Sequence, residues 1–372
     1  MSQLAHKEPL LRHVRRAVVK IGSNVLADAD GLRVPRIRAL AGEIATLVAG
    51  GRQVVVVSSG AVAAGGPRLG GRPGRLEWRQ AAAAVGQPAL MAAYERAFRS
   101  HGRAAAQVLL THADLSDRRR YLNARHTLRA LLALGAVPIV NENDTVAVEE
   151  LQFGDNDNLS ALTAALIEAD LLVILSDVEG LYERDPRLDA AAPLVRLARA
   201  GDPSVAGAAG PPRSGVGTGG MASKIDAART AAAAGIPTLI AHGGRRGVLA
   251  AAFEPRMEIG TLLLADGDPL GRRKHWIAHT LRPTGTLHLD AGAERALAQG
   301  GRSLLPSGVR AVEGTFGVGD CVRCLGPDGG EVARGLVNYA AAGPSRPGRR
   351  DGSPRRCPCS RGGAAGRGCA RP

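Results

Sequence analysis

The chain has 372 residues, of which 45% are hydrophobic and 3% aromatic, and its formal net charge at pH 7 is +14. The hydrophobic fraction is large enough for a sizeable buried core, which excludes a wholly disordered protein. Scarce aromatic side chains argue against binding of bases or sugars mainly by stacking, and five unevenly placed cysteines exclude a disulfide scaffold.

The two ends of the chain differ from the rest. Residues 1–15 form an N-terminal extension without the apolar core of a signal peptide, and no apolar run reaches the ~18 residues of a membrane span. We therefore expect a cytoplasmic protein with no membrane segment. Residues 341–372 carry eight arginines and one aspartate, half of the net charge, but no Leu, Ile, Val or aromatic residue. This composition predicts a disordered Arg/Gly/Pro-rich tail that binds nucleic acid weakly and without specificity at most.

Short apolar runs alternate with Ala- and Leu-rich stretches from residue 16 onwards. The runs predict strands buried on both faces: RAVVKIG, QVVVVSSGA, AAQVLLTHAD, AVPIVNEND, DLLVILSD and IPTLIAHGG. The stretches between them predict helices at 35–49, 78–101, 117–134, 156–169 and 221–235. This alternation predicts an α/β domain over residues 16–270, a three-layer αβα sandwich with a mostly parallel central sheet. Ligands of such sheets bind beyond the carboxyl ends of the strands.

Two motifs follow the first two predicted strands. Lys20 stands at a strand end before a glycine turn, which is a suitable position to meet an anion, although a surface lysine would look the same. Ser59 lies in the run SSGA, whose small residues let backbone N–H groups approach a carboxylate or phosphate. An ordinary helix N-cap explains the second motif equally well.

The most informative motif is acidic. Asp144 follows the strand AVPIV, and the run GDNDN, with Asp155, Asn156 and Asp157, opens the next helix. Buried carboxylates need partners such as a metal, lysines or a substrate ammonium. An N-cap or a Ca²⁺ site is the alternative, but the ligand spacing of an EF-hand is absent. We therefore interpret the cluster as a binding or catalytic site.

Two later motifs are suited to a nucleotide. Ser176 and Asp177 leave the strand LLVIL, where a hydroxyl and a carboxylate can hydrogen-bond a ligand or simply form a turn. The run GVGTGGMASK then precedes an Ala-rich helix, an arrangement typical of a phosphate cradle, whereas a flexible linker is the alternative. Lys224 falls in the first helical turn, where a cation opposes the helix dipole, and this conflict favours a role at an anion site.

After about residue 270 the pattern changes to short alternating strands with many glycines and a brief helix near 291–299. We predict a small β-barrel-like domain over residues 284–340. Cys321 and Cys324 are three residues apart in a predicted strand and would point to opposite faces, so we predict no metal site.

The motifs together resemble one family. VVKIGSNVL, VVVVSSGAVAAG, AAVGQ, QVLLTHAD, YLNARHTL, PIVNENDTVA, FGDNDNLSA, LSDVEGLY and GTGGMASK occur in the order found in bacterial glutamate 5-kinases, of the amino acid kinase superfamily. The segment EGTFGVGDCVRC resembles the middle of the PUA domain that the longer members carry. The chain departs from the family after ARGLVNY, where members continue into a helix and a last strand. We therefore expect the PUA-like domain to be truncated and less stable than the kinase domain.

The resemblance implies ATP-dependent phosphorylation of the side-chain carboxylate of L-glutamate, the first step of proline biosynthesis, with Mg²⁺ accompanying ATP. It implies that Lys20 and Lys224 contact the transferred phosphoryl group and that Asp157 orients both. It assigns glutamate binding to Ser59, Asp144, Asn156 and Asp155. It assigns ATP binding to Lys20, Ser176, Asp177, Thr218, Gly219, Gly220, Met221, Ala222, Ser223 and Lys224. Family members are commonly homo-oligomers that proline inhibits, and we expect the same here.

Two alternatives stay open at this point. Another amino acid kinase, acting on acetylglutamate or aspartate, would share most of these motifs. The absence of Lys and Arg from residues 141–158 favours an acceptor with a carboxylate and an ammonium over one with a phosphate. An RNA-binding protein acting through its PUA-like domain and basic tail would leave Lys20, Lys224 and the acidic motif unexplained.

Overall fold

The computed structural model describes residues 10–28, 30–69, 75–147, 156–186, 188–189, 191–208, 220–255, 258–265, 283–298, 304–317 and 320–337. The tail 341–372 and three predicted site residues, Asp155, Thr218 and Gly219, lie outside these ranges. The chain divides into two compact units, Met1–His275 and Trp276–Pro372, and each is described by itself.

The first unit is built on an eight-stranded sheet. Its strands are β1 (Arg16–Ile21), β4 (Gln53–Ser58), β5 (Ala105–Leu110), β6 (Val137–Glu142), β7 (Leu171–Ser176), β8 (Leu197–Arg199), β9 (Thr238–His242) and β10 (Thr261–Leu264), and a small hairpin joins β2 (Ala27–Asp28) to β3 (Gly31–Leu32). The strand order is β5-β6-β4-β1-β7-β9-β10-β8. Neighbouring strands are parallel throughout this sheet except where β9 meets β10. The predicted mostly parallel sheet is therefore confirmed.

Helices connect these strands. They are α1 (Ser23–Leu26), α2 (Val34–Ala49), α3 (Ala61–Gly65), α4 (Leu76–Arg99), α5 (His112–Ser116), α6 (Arg118–Ala133), α7 (Asn156–Ile167), α8 (Pro203–Ala208), α9 (Met221–Ala233) and α10 (Val248–Ala252). The five predicted helices correspond to α2, α4, α6, α7 and α9, with ends displaced by one or two residues. The strands β8 and β10 were not predicted from the sequence.

Side-chain alternation in β1 shows how the sheet is covered on both faces. Ala17, Val19 and Ile21 pack into a core cluster with residues of α2 and α4, such as Leu40. Lys20 is on the opposite face because successive side chains of a strand alternate, and it is 3% exposed. The helix α7 covers that face, so the sheet is the middle layer of a three-layer sandwich.

The described residues of the second unit form a four-stranded sheet with strands β11 (Gly285–Leu289), β12 (Val309–Gly314), β13 (Cys321–Leu325) and β14 (Glu331–Leu336), together with the α-helix α11 (Ala291–Ala298). The strand order is β12-β11-β13-β14. Its small core contains the buried side chains of Leu287, Leu289, Phe316, Val322 and Cys324. The unit is therefore a separate sheet domain, as predicted.

Two negative findings apply to the described part of the chain. It holds no group of three or more His, Cys, Asp or Glu side chains that could bind a metal ion, and Cys321 and Cys324 are free thiols. Within the same residues, every helix is too short or too polar to cross a membrane.

Candidate active site

One carboxylate joins two lysines at the carboxyl edge of the sheet. Asp157 Oδ1 lies 2.5 Å from Lys20 Nζ, and Asp157 Oδ2 lies 3.1 Å from Lys224 Nζ. All three side chains are almost completely buried, with Asp157 at 0% exposure. The structure thus brings together the three residues predicted to be catalytic, although they belong to β1, α7 and α9.

Two carboxylates lie near the two ammonium groups. Asp157 contacts both lysines, and the charge of Lys224 also acts on Asp177. Ser223 Oγ donates to Asp157 Oδ2 at 2.9 Å, and the N-terminal turn of α7 also favours a carboxylate. Asp157 is therefore stabilised as an anion that holds both lysines in place.

The sequence around Lys20 fixes its position. β1 pairs with both β4 and β7, so the backbone at Lys20 is held on both sides. Gly22 then donates from its backbone N–H to the Leu175 carbonyl at 3.0 Å. A Cβ atom at Gly22 would come within 3.3 Å of that carbonyl oxygen and 3.8 Å of Lys20 Nζ. The glycine therefore keeps the space beside the ammonium group open.

The sequence around Lys224 places it in the first turns of a helix. α9 starts after Gly220, and among the described residues no side chain at the N-cap position forms a capping hydrogen bond. Lys224 Nζ approaches the Gly220 carbonyl at 3.4 Å. Ser223 Oγ lies 2.9 Å from the same carbonyl, which therefore competes with Asp157 Oδ2 for the one hydroxyl proton. The predicted ATP residues Gly220, Met221, Ala222 and Ser223 therefore form the N-terminal end of α9, where the backbone N–H groups and the helix dipole favour an anion.

Ser176 and Asp177 stand at the end of β7, next to these groups. Ser176 Oγ donates to Asp177 Oδ1 at 3.0 Å, and Asn24 Nδ2 donates to Asp177 Oδ2 at 2.8 Å. Burial raises the pKa of Asp177, but the hydrogen bonds from Asn24 and Ser176, together with the charge of Lys224, hold this pKa below its ordinary value. Asp177 is thus a fixed anion whose two oxygens are oriented by neighbours.

On the other side of Asp157, side-chain amides form a chain of hydrogen bonds. Three acceptors share the two hydrogens of Asn156 Nδ2: Ser59 Oγ at 3.0 Å, the Ser58 carbonyl at 3.2 Å and Asn141 Oδ1 at 3.0 Å. Asn141 Nδ2 in turn donates to Gln87 Oε1 at 2.9 Å. The structure therefore places the predicted acceptor residues Ser59 and Asn156 in direct contact.

Asp144 has different surroundings from Asp157. It follows β6, and burial raises its pKa to about 6, although the positive charge of Arg79 lowers it. A neighbouring cation would stabilise the charged form of this carboxyl group and lower its pKa towards the ordinary value. Asp144 is thus suited to bind an ammonium group.

Two residues without a predicted role, Asn24 and Gln87, lie among these groups. Asn24 orients Asp177, and Gln87 ends the chain of amides. Both occur inside motifs quoted for the resemblance, VVKIGSNVL and AAVGQ, so their motif membership was a signal. Their partners are distant in sequence, and only the fold shows the contacts.

The chain is similar to known proteins over most of its length. Residues 15–242 match the model of the amino acid kinase family, and residues 285–343 match that of the PUA domain. The chain is 54% identical over 336 residues to the glutamate 5-kinase of Geobacter metallireducens, with 90% of each chain covered. It is 55% identical over 334 residues to the glutamate 5-kinase of Thioalkalivibrio sulfidiphilus, with 89% of each covered. The corresponding protein of Myxococcus xanthus is 50% identical over 343 residues, with 92% of this chain and 91% of that protein covered.

Proposed function

This chain belongs to the amino acid kinase family and, within it, to the glutamate 5-kinases, and from that membership we propose that Lys20, Asp157 and Lys224 carry out its phosphoryl transfer. The reaction moves the γ-phosphoryl group of ATP to the side-chain carboxylate of L-glutamate. The products are ADP and L-glutamyl 5-phosphate, the first intermediate of proline biosynthesis.

The reaction needs no general base. A side-chain carboxylate has an ordinary pKa of about 4.3, so glutamate reaches the site already ionised at neutral pH. One carboxylate oxygen forms a bond to the γ-phosphorus, and the bond from that phosphorus to the β,γ-bridging oxygen breaks. ADP leaves with the electron pair, and no proton has to move. What the protein must overcome is the repulsion between an anionic nucleophile and an anionic phosphoryl group.

The two lysines offset this repulsion. Lys20 and Lys224 would hold the transferred group between them, and Asp157, which holds both ammonium groups, would orient them and take no proton itself. The observation that carries this proposal is the buried ion-pair group, in which Asp157 contacts Lys20 at 2.5 Å and Lys224 at 3.1 Å. Because these charges are already oriented before the reaction begins, they need no reorganisation when charge develops in the transition state.

The nucleotide would lie on the β7 and α9 side of this group. We assign it to Ser176, Asp177 and residues 218–224, with the phosphates at the N-terminus of α9. Mg²⁺ would enter as part of the MgATP substrate. The oxygens of Asp157 are taken by lysines and those of Asp177 by Asn24 and Ser176, so these side chains are not a ready set of metal ligands.

Glutamate would lie on the opposite side of Asp157. We assign it to Ser59, Asn156, Asp144 and Asp155, with Asp144 paired to the α-ammonium group. Proline carries the same α-carboxylate and a similar ammonium, and we propose that it inhibits the enzyme. We also propose that the chain forms homo-oligomers, which light scattering of the purified protein would test.

The decisive experiment is an assay with MgATP and hydroxylamine, which traps an acyl phosphate as a hydroxamate. We expect glutamate to give hydroxamate far faster than acetylglutamate or aspartate. A preference for either of those two acceptors would contradict the proposed substrate.

The same assay tests the residue roles. We expect Lys224→Ala and Asp157→Ala each to lower kcat by at least about 100-fold with little change in the KM for glutamate, because the lost interaction acts on the transition state. Lys224→Arg keeps the positive charge but changes its shape. We expect kcat to stay low in this variant, because a planar guanidinium does not replace a buried ammonium. Near-normal kcat in the alanine variant would remove that residue from the assigned role.

A further inference from the structure

The amide chain of the acceptor side has a direction that the protein backbone fixes. The backbone N–H of Glu142 donates to Asn141 Oδ1 at 2.9 Å, and a backbone N–H can only donate. Asn141 must therefore present its Nδ2 group to Gln87, whose Oε1 accepts it at 2.9 Å. The other end of the Gln87 amide is consequently Nε2, a donor.

The opposite end of the chain is fixed in the same way. The Ser58 carbonyl can only accept, and Asn156 Nδ2 donates to it at 3.2 Å. Asn156 Oδ1 is therefore the outward end of that amide, and it is an acceptor. The direction of all three amides thus follows from one backbone donor and one backbone acceptor.

Both outward ends are buried and lack a partner. Gln87 Nε2 and Asn156 Oδ1 are shielded from solvent and form no hydrogen bond among the residues that the structure describes. Buried polar groups are almost always paired in a functional state of a protein. A ligand that satisfied this pair would offer an acceptor to Gln87 and a donor to Asn156.

An α-amino acid offers this combination. We infer that Gln87 Nε2 donates to the α-carboxylate of the acceptor while Asn156 Oδ1 accepts from its α-ammonium, so that Gln87 is a specificity-determining residue. The order of the three amides supports this assignment. Asn156 is adjacent to Asp157, which holds the lysines, whereas Gln87 is two hydrogen bonds farther away. The carboxylate at Gln87 is thus the one that is not phosphorylated. This inference rests on the proposed acceptor site.

The fold holds Gln87 rigidly for this task. The preceding residue, Gly86, packs directly on the backbone that follows Ser59, and a Cβ atom there would lie 1.9 Å from the Ala61 carbonyl oxygen. The close approach of α4 to α3 therefore fixes the distance between Gln87 and the loop that carries Ser59.

The experiment compares two variants of Gln87 at pH 8 with saturating MgATP. Gln87→Met removes the donor in a side chain of similar length, and we expect kcat/KM for glutamate to fall roughly 10- to 100-fold, the range for a hydrogen bond to a charged group. Gln87→Glu places a negative charge at the same point, and we expect a larger loss than with methionine. If Gln87→Glu is more active than Gln87→Met, residue 87 faces the α-ammonium group of the substrate and the inference is wrong.

A substrate analogue provides a second readout. 4-Aminobutyrate is glutamate without the α-carboxylate, so Gln87→Met should leave its kcat/KM unchanged while the value for glutamate falls. Equal losses for both acceptors would show that Gln87 only supports Asn141, and unchanged activity with glutamate would equally overturn the inference.

The controls separate this inference from the proposed function. Gln107→Glu and Gln107→Met alter an exposed glutamine on β5 and should match the unaltered protein. The KM for ATP and the melting temperature show whether the Gln87 variants are folded. An unaltered protein that forms no hydroxamate from glutamate contradicts the proposed function. An active protein whose Gln87 variants behave normally contradicts only the inference.

Discussion

Asp144 shows how burial at a single position sets a dependence on pH. Its pKa is raised to about 6, whereas the pKa values of the glutamate carboxyl groups lie well below and that of its ammonium well above this value. The free enzyme therefore carries a carboxyl group that titrates in a range where the acceptor does not. Since kcat/KM reports ionisations of the free enzyme, this group can be observed directly.

We predict that kcat/KM for glutamate falls below pH 6, approaching tenfold per pH unit, because a protonated Asp144 does not attract the α-ammonium group. The measurement is the pH profile of kcat/KM between pH 5 and 8 with saturating MgATP. Asp144→Asn should have a lower value that is nearly independent of pH in this range. A variant that retained the acidic fall would show that another group titrates.

The same pKa predicts the direction of a stability change. An unfolded aspartate has a pKa of about 3.9, so between pH 4 and 6 the folded protein retains a proton that the unfolded chain has lost. This contribution to the free energy of unfolding is present at low pH and is lost as the pH rises through about 6. Asp144→Asn, which cannot ionise, should lack this contribution when urea unfolding is compared at pH 4.5 and 7.

At the scale of elements, the contact between α3 and α4 is made by backbone atoms. A Cβ atom at Gly86 would lie 1.9 Å from the Ala61 carbonyl oxygen, and one at Gly65 would lie 1.8 Å from the Ala82 carbonyl oxygen. Neither contact can be relieved by rotating a side chain. The two glycines therefore allow the backbones of the two helices to come into direct contact.

We predict that Gly86→Ala destabilises the protein by about 1–3 kcal/mol, the usual range for overpacking, and raises the KM for glutamate. Within an exposed helix the same change would stabilise by up to about 1 kcal/mol, so the sign of the effect is itself informative. Urea unfolding and the hydroxamate assay measure both effects.

The matched control is Gly66→Ala, one residue beyond α3. Gly66 has helical φ and ψ angles, and a Cβ atom there meets nothing within 4 Å. We expect a change in unfolding free energy within about 0.5 kcal/mol. If Gly86→Ala changed the unfolding free energy as little as this control, the close contact between α3 and α4 would not be needed for stability.

The elements differ in how far the sequence predicts them. The strands β1, β4, β6 and β7 are predictable because five or six consecutive side chains are buried, which leaves a continuous apolar run. The strand β8 has three residues and buries none of them, and β10 has four, so neither leaves a pattern of useful length.

The pattern of elements locates Lys20, Asp157 and Lys224 at strand and helix ends. Their roles were implied by the resemblance and stay predictions. Gln87 was not predictable in this way, because it lies inside a long helix and its role depends on contacts with β6 and, through Asn141, with α7. Such a role arises from packing between elements that are far apart in sequence.

At the scale of the whole molecule, the two units have unequal cores. The second unit has a small central cluster, the helix α11 buries none of its residues, and β12 is largely exposed. The first unit has a continuous core that spans the sheet and its helices. Lys20, Asp157 and Lys224 all lie in the first unit.

We predict that limited proteolysis degrades residues 283–337 before it cuts the strands of the first unit, because a unit with a small core unfolds locally more often. Mass spectrometry of the digest identifies the surviving fragment, and the hydroxamate assay shows whether it remains active, as we expect. Resistance of the whole region 284–340 would contradict the predicted difference in stability.

The ion-pair group has a consequence for covalent labelling. The chain contains four lysines among 48 basic residues, and two of these lysines share Asp157. A reagent selective for primary amines thus has few side-chain targets on this molecule, and half of them belong to a single cluster. Because both of these lysines are almost completely buried, such a reagent should modify them only when the cluster opens.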